Sequence, residues 1–188
     1  HLAVRRQRQM CIRDSVNSSR GYENALYSNS DGAEVFLTAG LRNPLKGGFE
    51  VLDGDPVNGS GRSFVSWNWV ANGGTTATNN DGSIASVVQA NQTAGFSIVQ
   101  YTGTGSNATV GHGLSSAPEW IMVRVLNVGS VSGFTVGTTA DPSGFNNFLY
   151  LNETEVSRAS SSTWNNTAPT SSVFSVGSSS TTNYSSQA

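Results

Sequence analysis

Apolar residues in this chain alternate over short runs. In "RSFVSWNWVA" (Arg62–Ala71), Val65, Trp67 and Trp69 fall on one side of an extended chain and Phe64, Ser66 and Asn68 on the other. Successive side chains of a strand point to opposite faces, so period-two spacing of aromatic and β-branched residues specifies a half-buried strand. "AGFSIVQYTG" (Ala94–Gly103) sets Phe96, Ile98 and Gln100 against Val99 and Tyr101. "EWIMVRVLNV" (Glu119–Val128) is the most continuously apolar run, opens after Pro118, and reads as a central strand buried on both faces. "SGFTVGT", "NFLYLNE" and "SVFSVGS" follow. The stretches between them, such as "TGTGSNA" and "DPSGFNN", carry turn chemistry. No segment after residue 15 keeps a helical period, and Gly, Ser, Thr and Asn are poor helix formers. The expected fold is all-β: an antiparallel sandwich of jelly-roll or concanavalin-like type.

The start of the chain is written differently. "RRQRQMCIRDS" (Arg5–Ser15) holds four arginines and the only cysteine. It lacks the apolar stretch of about 7–15 residues that a secretory signal needs. Its portion "RQMCIRDS" resembles a translated sequencing adapter at the edge of a metagenomic gene prediction, so residues 1–15 are set aside as non-native. Cys11 goes with them, and no disulfide or thiol chemistry is expected. From Val16 onward there are 6 basic residues (10 less 4) and 11 acidic ones (12 less 1), a balance of −5 rather than −2. That charge argues against nucleic acid as a partner. No apolar run approaches the roughly 18 residues of a membrane span, so no membrane insertion is expected. Only 12% of residues are charged, which separates the chain from highly charged disordered tails.

An internal repeat organises the rest. "GGFEVLDGDPVNGSGRS" (Gly47–Ser63) aligns without gaps on "SVFSVGSSSTTNYSSQA" (Ser172–Ala188): Phe49 meets Phe174, Val51 meets Val176, Asn58 meets Asn183 and Ser60 meets Ser185. Upstream, Leu26-Tyr27 matches Leu149-Tyr150. Residues 16–71 therefore read as the C-terminal part of a first β module, 72–93 as a polar connector with one short strand, and 94–188 as a second module lacking its last strand. The chain is expected to be cut at both ends.

Three stretches carry a family resemblance: "RSFVSWNWVANGG", "TNNDGSIASVVQANQTAGFSIVQYTGTGSNATVGHGLSSAPEWIMV" and "TWNNTAPTSSVFSVGSSSTTN". They resemble a β-rich module of unknown function repeated in large predicted proteins of marine tailed phages. There it often stands beside SPRY-like or concanavalin-like modules in tail-fibre or other virion proteins. The resemblance covers nearly everything after residue 20 and implies a virion component that is homo-oligomeric, as in a fibre trimer. It transfers no catalytic signature. A bacterial secreted adhesin at the cell surface is the alternative, and a fragment of a glycan-degrading tail enzyme a weaker one.

Candidate site residues are few. His112, flanked by Gly111 and Gly113, reads as a turn residue, since after residue 15 there is no second His and no Cys to complete a metal site. Asp53 and Asp55 fail the EF-hand spacing. Glu153 and Glu155 share one face of a strand end and read as a solvated edge, because glycosidase carboxylates flank a cleft from different elements. No catalytic residue, metal or cofactor is expected. Trp67, Trp69 and Trp120 are assigned to the core or a layer interface. Trp164, in polar "SSTWNNTAP", is the expected exposed aromatic. Trp164, Asn165, His112 and Asn107 form the expected contact for a host-surface polysaccharide.

Overall fold

The computed structural model describes residues 14–45, 47–53, 55–72, 74–128 and 133–185. The arginine-rich start through Arg13, including Cys11, lies outside the described residues. Among them, β1 (Asp14–Asn17), β2 (Gly21–Tyr27) and β3 (Val35–Phe36) form one sheet, and β4 (Leu41–Leu45) pairs with β5 (Gly48–Val51). A second three-stranded sheet holds β6 (Ala77–Asn79), β7 (Ser86–Asn91) and β8 (Phe96–Tyr101). β9 (Ala108–Gly111) pairs with β14 (Val173–Val176). β10 (Trp120–Val123), β11 (Thr135–Thr138), β12 (Asn147–Tyr150) and β13 (Arg158–Ala159) form a four-stranded sheet in that order. All pairings within these sheets are antiparallel. Three single helical turns complete the chain: α1 (Asp55–Asn58), α2 (Ser161–Trp164) and α3 (Ser180–Asn183). A 3-10 turn spans Gly144–Asn146. The protein is all-β, as its alternating pattern predicts.

The core sits between the sheets of the second half. Ile84, Val110, Ile121, Phe145, Trp164, Phe174 and Val176 form one buried cluster, with Val99, Tyr101, Val123 and Phe148 packed against it. β8 contributes Val99 and Tyr101, the face its alternation assigned. Ile84 reaches the cluster through a parallel bridge to Val110. The bend before Ile84 needs Gly82, because a Cβ there would lie 2.4 Å from the Thr109 carbonyl oxygen.

Several expectations change. The segment 72–93 is no connector: β6 and β7 lie in it, β7 is the middle strand of its sheet, and Ile84 and Val88 are buried. Few apolar residues sufficed because the other buried positions of β7, Ser86 and Gln89, are polar and hydrogen-bonded, while Val87 is exposed. β10 is an edge strand, not a central one, with Ile121 buried and Trp120 and Met122 exposed. Within "RSFVSWNWVA", residues 64–71 belong to no strand among the described residues, leaving Trp67 and Trp69 at 54% and 64% exposure. The core assignment of Trp67, Trp69 and Trp120 is therefore overturned. The boundary at residue 15 falls inside β1, where Asp14 pairs with Tyr27 and Ser15 with Leu26.

The repeat extends to strand register. Asn24 pairs with Phe36 and Ala25 with Val35; 123 residues on (147 less 24), Asn147 pairs with Ala159 and Phe148 with Arg158. Tyr27 faces Asp14 and Leu26 faces Ser15; Tyr150 faces Thr135 and Leu149 faces Val136. β5 and α1 recur as β14 and α3 at an offset of 125 (173 less 48, 180 less 55). Two details recur as well. Asn43 and Asn166 both adopt positive φ, and the side-chain carbonyls of Asn29 and Asn152 are both buried without a donor among the described residues.

Side-chain contacts join the halves, among them those of Gln89 and Arg124. Gln89, fully buried, accepts from the Ser18 hydroxyl (3.0 Å) and Gly74 N–H (3.1 Å) and donates to the Ser19 hydroxyl (2.8 Å). Arg124 donates to the carbonyls of Ser30 (2.8 Å) and Gly32 and lies 5.8 Å from the Phe134 ring centre.

At Gly137 the core leaves no room for a side chain: a Cβ there would lie 2.6 Å from the Phe145 ring and 2.8 Å from the Trp164 ring. Gly137→Ala should overpack this point and lower stability by about 1–3 kcal/mol, read as a drop in denaturation midpoint.

Candidate functional site

One buried amide builds the main polar surface. The α3 turn is capped by Ser179, whose side chain accepts from Thr181 N–H (3.3 Å), and it ends on Asn183. Asn183 is 1% exposed. Its Oδ1 accepts from Thr104 N–H (2.7 Å), and its Nδ2 donates to the carbonyls of Ser106 (2.6 Å) and Gly177 (2.7 Å). Its own carbonyl accepts from Gly105 N–H (3.0 Å). The loop after β8 is thereby pinned to the chain after β14.

That loop meets a second one. Asn107 Nδ2 donates to Asn165 Oδ1 at 2.8 Å. Asn165 ends α2 in the left-handed conformation (φ 52°), and the Thr167 hydroxyl donates to its carbonyl (2.8 Å). Beside these loops lies a cavity of about 310 Å³ lined by Gly105, Ser178, Ser180, Asn183, Tyr184 and Ser185. Its walls offer hydroxyls, a phenol and backbone groups, with no carboxylate, while the Asn183 amide is spent on the carbonyls of Ser106 and Gly177. Such a surface can hydrogen-bond a neutral polyol but has no group to move a proton at neutral pH.

Two of the four expected contact residues, Asn107 and Asn165, meet here although 58 positions apart. The other two do not reach the surface. Trp164 is 0% exposed and packs edge-on against Phe145, ring centres 5.7 Å apart. Its polar neighbours misled: a single helical turn sends Thr163 and Trp164 inward while Ser161, Ser162, Asn165 and Asn166 stay outside. Trp164 thus supports Asn165 from beneath and cannot stack on a sugar.

His112 is 2% exposed. Its Nδ1 accepts from Leu114 N–H at 3.1 Å, so Nε2 carries the proton and donates to the Thr170 carbonyl at 3.1 Å. Gly113, at φ 70°, makes the turn that brings Leu114 back. Burial holds the imidazole below its ordinary pKa, against smaller upward effects of the Thr170 bond and the Asp81 charge. His112 ties a turn together and touches no ligand.

The carboxylates stay apart from any cleft. Arg158 donates to Glu153 (2.7 Å) and Glu155, and its guanidinium lies 5.7 Å from the Tyr150 ring centre. This exposed cluster is a solvated edge. Among the described residues no three His, Cys, Asp or Glu side chains are grouped to hold a metal. No helix among them is long and apolar enough to cross a membrane. Of the exposed tryptophans that sequence reasoning placed in the core, Trp69 stacks on Phe96 with ring centres 5.9 Å apart and planes 15° from parallel.

A family model described as a domain of unknown function (DUF7483) matches residues 4–188. The match begins within the arginine-rich start. No curated protein and no solved structure matches the chain.

Two measurements check the buried assignments. Trp164→Ala should cost about 3–5 kcal/mol of stability, as removal of a fully buried aromatic does. Because His112 resists protonation when folded, the unfolded chain binds the extra proton first. Stability should therefore fall as pH drops below about 6.5, the ordinary value. His112→Asn should flatten that slope in denaturation series run from pH 8 to pH 5.

Proposed function

The chain belongs to the DUF7483 family, and we propose that it serves as a structural and adhesive module of a virion protein such as a phage tail fibre, touching host-surface polysaccharide weakly. The supporting observation is the uncharged, hydrogen-bonding cavity held on pinned loops beside the Asn107–Asn165 pair. Sugar hydroxyls both donate and accept, and amide, hydroxyl and backbone groups answer both roles. Rigid loops limit the ordering cost of contact. A hydrolase needs titratable groups converging on a cleft, and this surface offers none. The repeated plan suits a protein that presents many modules together, where modest affinity per site multiplies through effective concentration.

The test uses a multimeric display of the protein on immobilised bacterial capsular polysaccharide and lipopolysaccharide. Paired Asn107→Ala and Ser180→Ala changes should weaken retention by about tenfold or more through lost avidity. The same changes should leave the stability within about 0.5 kcal/mol, as surface substitutions do. If the unaltered display binds neither polysaccharide, the module is a spacer. The virion assignment itself predicts tail and capsid genes flanking the coding sequence, and flanking housekeeping genes would sink it.

A further inference from the structure

We infer that the loop of residues 151–157, between β12 and β13, is a docking surface for a further module of the same kind, which presents to it the arginine that follows β10. The two copies of the repeat already meet through this loop's counterpart. In the first copy, residues 28–34 join β2 to β3 and receive Arg124 of the second copy. The Arg124 guanidinium donates to the carbonyls of Ser30 (2.8 Å) and Gly32, and Glu34 N–H donates to the Leu126 carbonyl (3.1 Å). The charge of Asp31 acts on Arg124 there.

The loop of the second copy has the same build. It lies 123 residues on with no insertion: Tyr27 and Val35, which bound the first loop, correspond to Tyr150 and Arg158 (27 and 35 plus 123). The first turn closes in the same way, with Ser30 N–H on the Tyr27 carbonyl (3.4 Å) and Glu153 N–H on the Tyr150 carbonyl (3.2 Å). Asn29 and Asn152 each bury a side-chain carbonyl in that turn. The groups that hold the arginine are therefore repeated. The carbonyls of Glu153 and Glu155 stand for those of Ser30 and Gly32, and Ser157 N–H for Glu34 N–H. Among the described residues none of the three has a hydrogen-bond partner. Val156 is 85% exposed, whereas its counterpart Ala33, at the existing contact, is partly buried.

The residues that differ favour an arginine. A Cβ on Gly32 would meet only the Ser30 hydroxyl (3.3 Å) beyond its chain neighbours, so the Glu155 side chain leaves the arginine's place clear. Glu153 and Glu155 bring two negative charges, and Arg158, paired with both, returns one positive. One negative charge (2 less 1) is left for the incoming guanidinium. Charge complementarity of this sort selects the partner and fixes its register. The contact is head-to-tail and can repeat along an array. The docked module can be joined to this chain or stand on another, since the surface is the same in both cases. Arg124 of this chain is engaged by its own first copy, so a plain mixture of full chains leaves the loop uncovered.

The test extends the full chain. Residues 64–188 are repeated after Ala188, the counterpart of Ser63, so that the added module enters in the register of the repeat. Val156→Cys is placed only in the original copy, in a Cys11→Ser background, and its alkylation by a maleimide is timed. Labelling should be about tenfold or more slower in the extended chain than in the full chain with the same changes, as covering a thiol slows its reaction. Arg124→Ala in the added module alone should restore fast labelling while the strand content read by circular dichroism is kept. Arg124→Lys there, which keeps the charge and loses the two-carbonyl fork, should restore most of it. Three outcomes overturn the inference. Labelling may be unchanged by the extension. The added module may bring no strand content, although the same residues fold against the first loop. Or slow labelling may persist with Arg124→Ala, which means that another contact covers Val156.

Discussion

Asn183 is the contact on which the second half of the molecule depends. Its one side chain satisfies a backbone donor of one loop and a backbone acceptor in each of two segments, while its own carbonyl holds a further N–H. Buried polar groups are costly unless paired, so the arrangement is stable only when β8, β14 and α3 are all in place. Thr182 adds to it, donating its hydroxyl to the Thr163 carbonyl (3.0 Å) and accepting, through its backbone carbonyl, the phenol of Tyr101. Burial of Tyr101 raises its phenol pKa far above the ordinary range, so that donor stays protonated across the physiological range.

This explains how a chain with few charges and a modest apolar fraction packs without disulfides among its described residues. Its interior is a small aromatic and aliphatic cluster bordered by hydrogen-bonded amides and hydroxyls, with the Thr135 hydroxyl and the Trp164 indole N–H left without a partner among the described residues. Ser86 donates to the Gly111 carbonyl (2.8 Å), Gln89 bridges the two halves, and His112 closes a turn by bonding on both ring nitrogens. Such bonds are directional, so they fix loop positions that apolar contact alone would leave loose. The candidate surface inherits its rigidity from them: Asn107 and Asn165 face solvent, while Asn183 and Trp164 beneath them do not move independently of the core.

β8 lies in an alternating run, and β11, β12 and β14 lie in the short apolar runs read as strands, whereas the most regular alternation, Arg62–Ala71, forms no strand among the described residues. The turn role of His112 followed from its flanking glycines. The tryptophans were not legible. Whether Trp67 is buried depends on a partner strand, and Trp120 depends on β10 lying at a sheet edge; neither is a local property. Trp164 was misjudged for the opposite reason, since one helical turn can bury a residue whose neighbours are all polar. Asn107 and Asn165 lie exposed on loops, as their polar, turn-rich surroundings predict, and their contact across 58 positions is not a local property. The cavity residues Ser178, Ser180, Tyr184 and Ser185 were missed because nothing in a Ser/Thr-rich run marks which hydroxyls line a hollow.

The two copies of the repeat separate local encoding from tertiary support. Both form the same hairpin register and the same strand-then-turn succession, so the sequence around Leu26-Tyr27 and Leu149-Tyr150 is sufficient for pairing. Burial differs. Phe174 and Val176 are buried because β14 lies against β9 and the core behind it. Their counterparts Phe49 and Val51 are each 37% exposed, because among the described residues β5 pairs only with β4. Asn58 stays exposed while Asn183 is enclosed, for the same reason. Register is thus set within about forty residues, whereas the fixed loops of the candidate surface require β8 and β9 as well. In the second copy the polar surface beside Asn107 and Asn165 is held in place by contacts of the loop after β8 with the chain after β14.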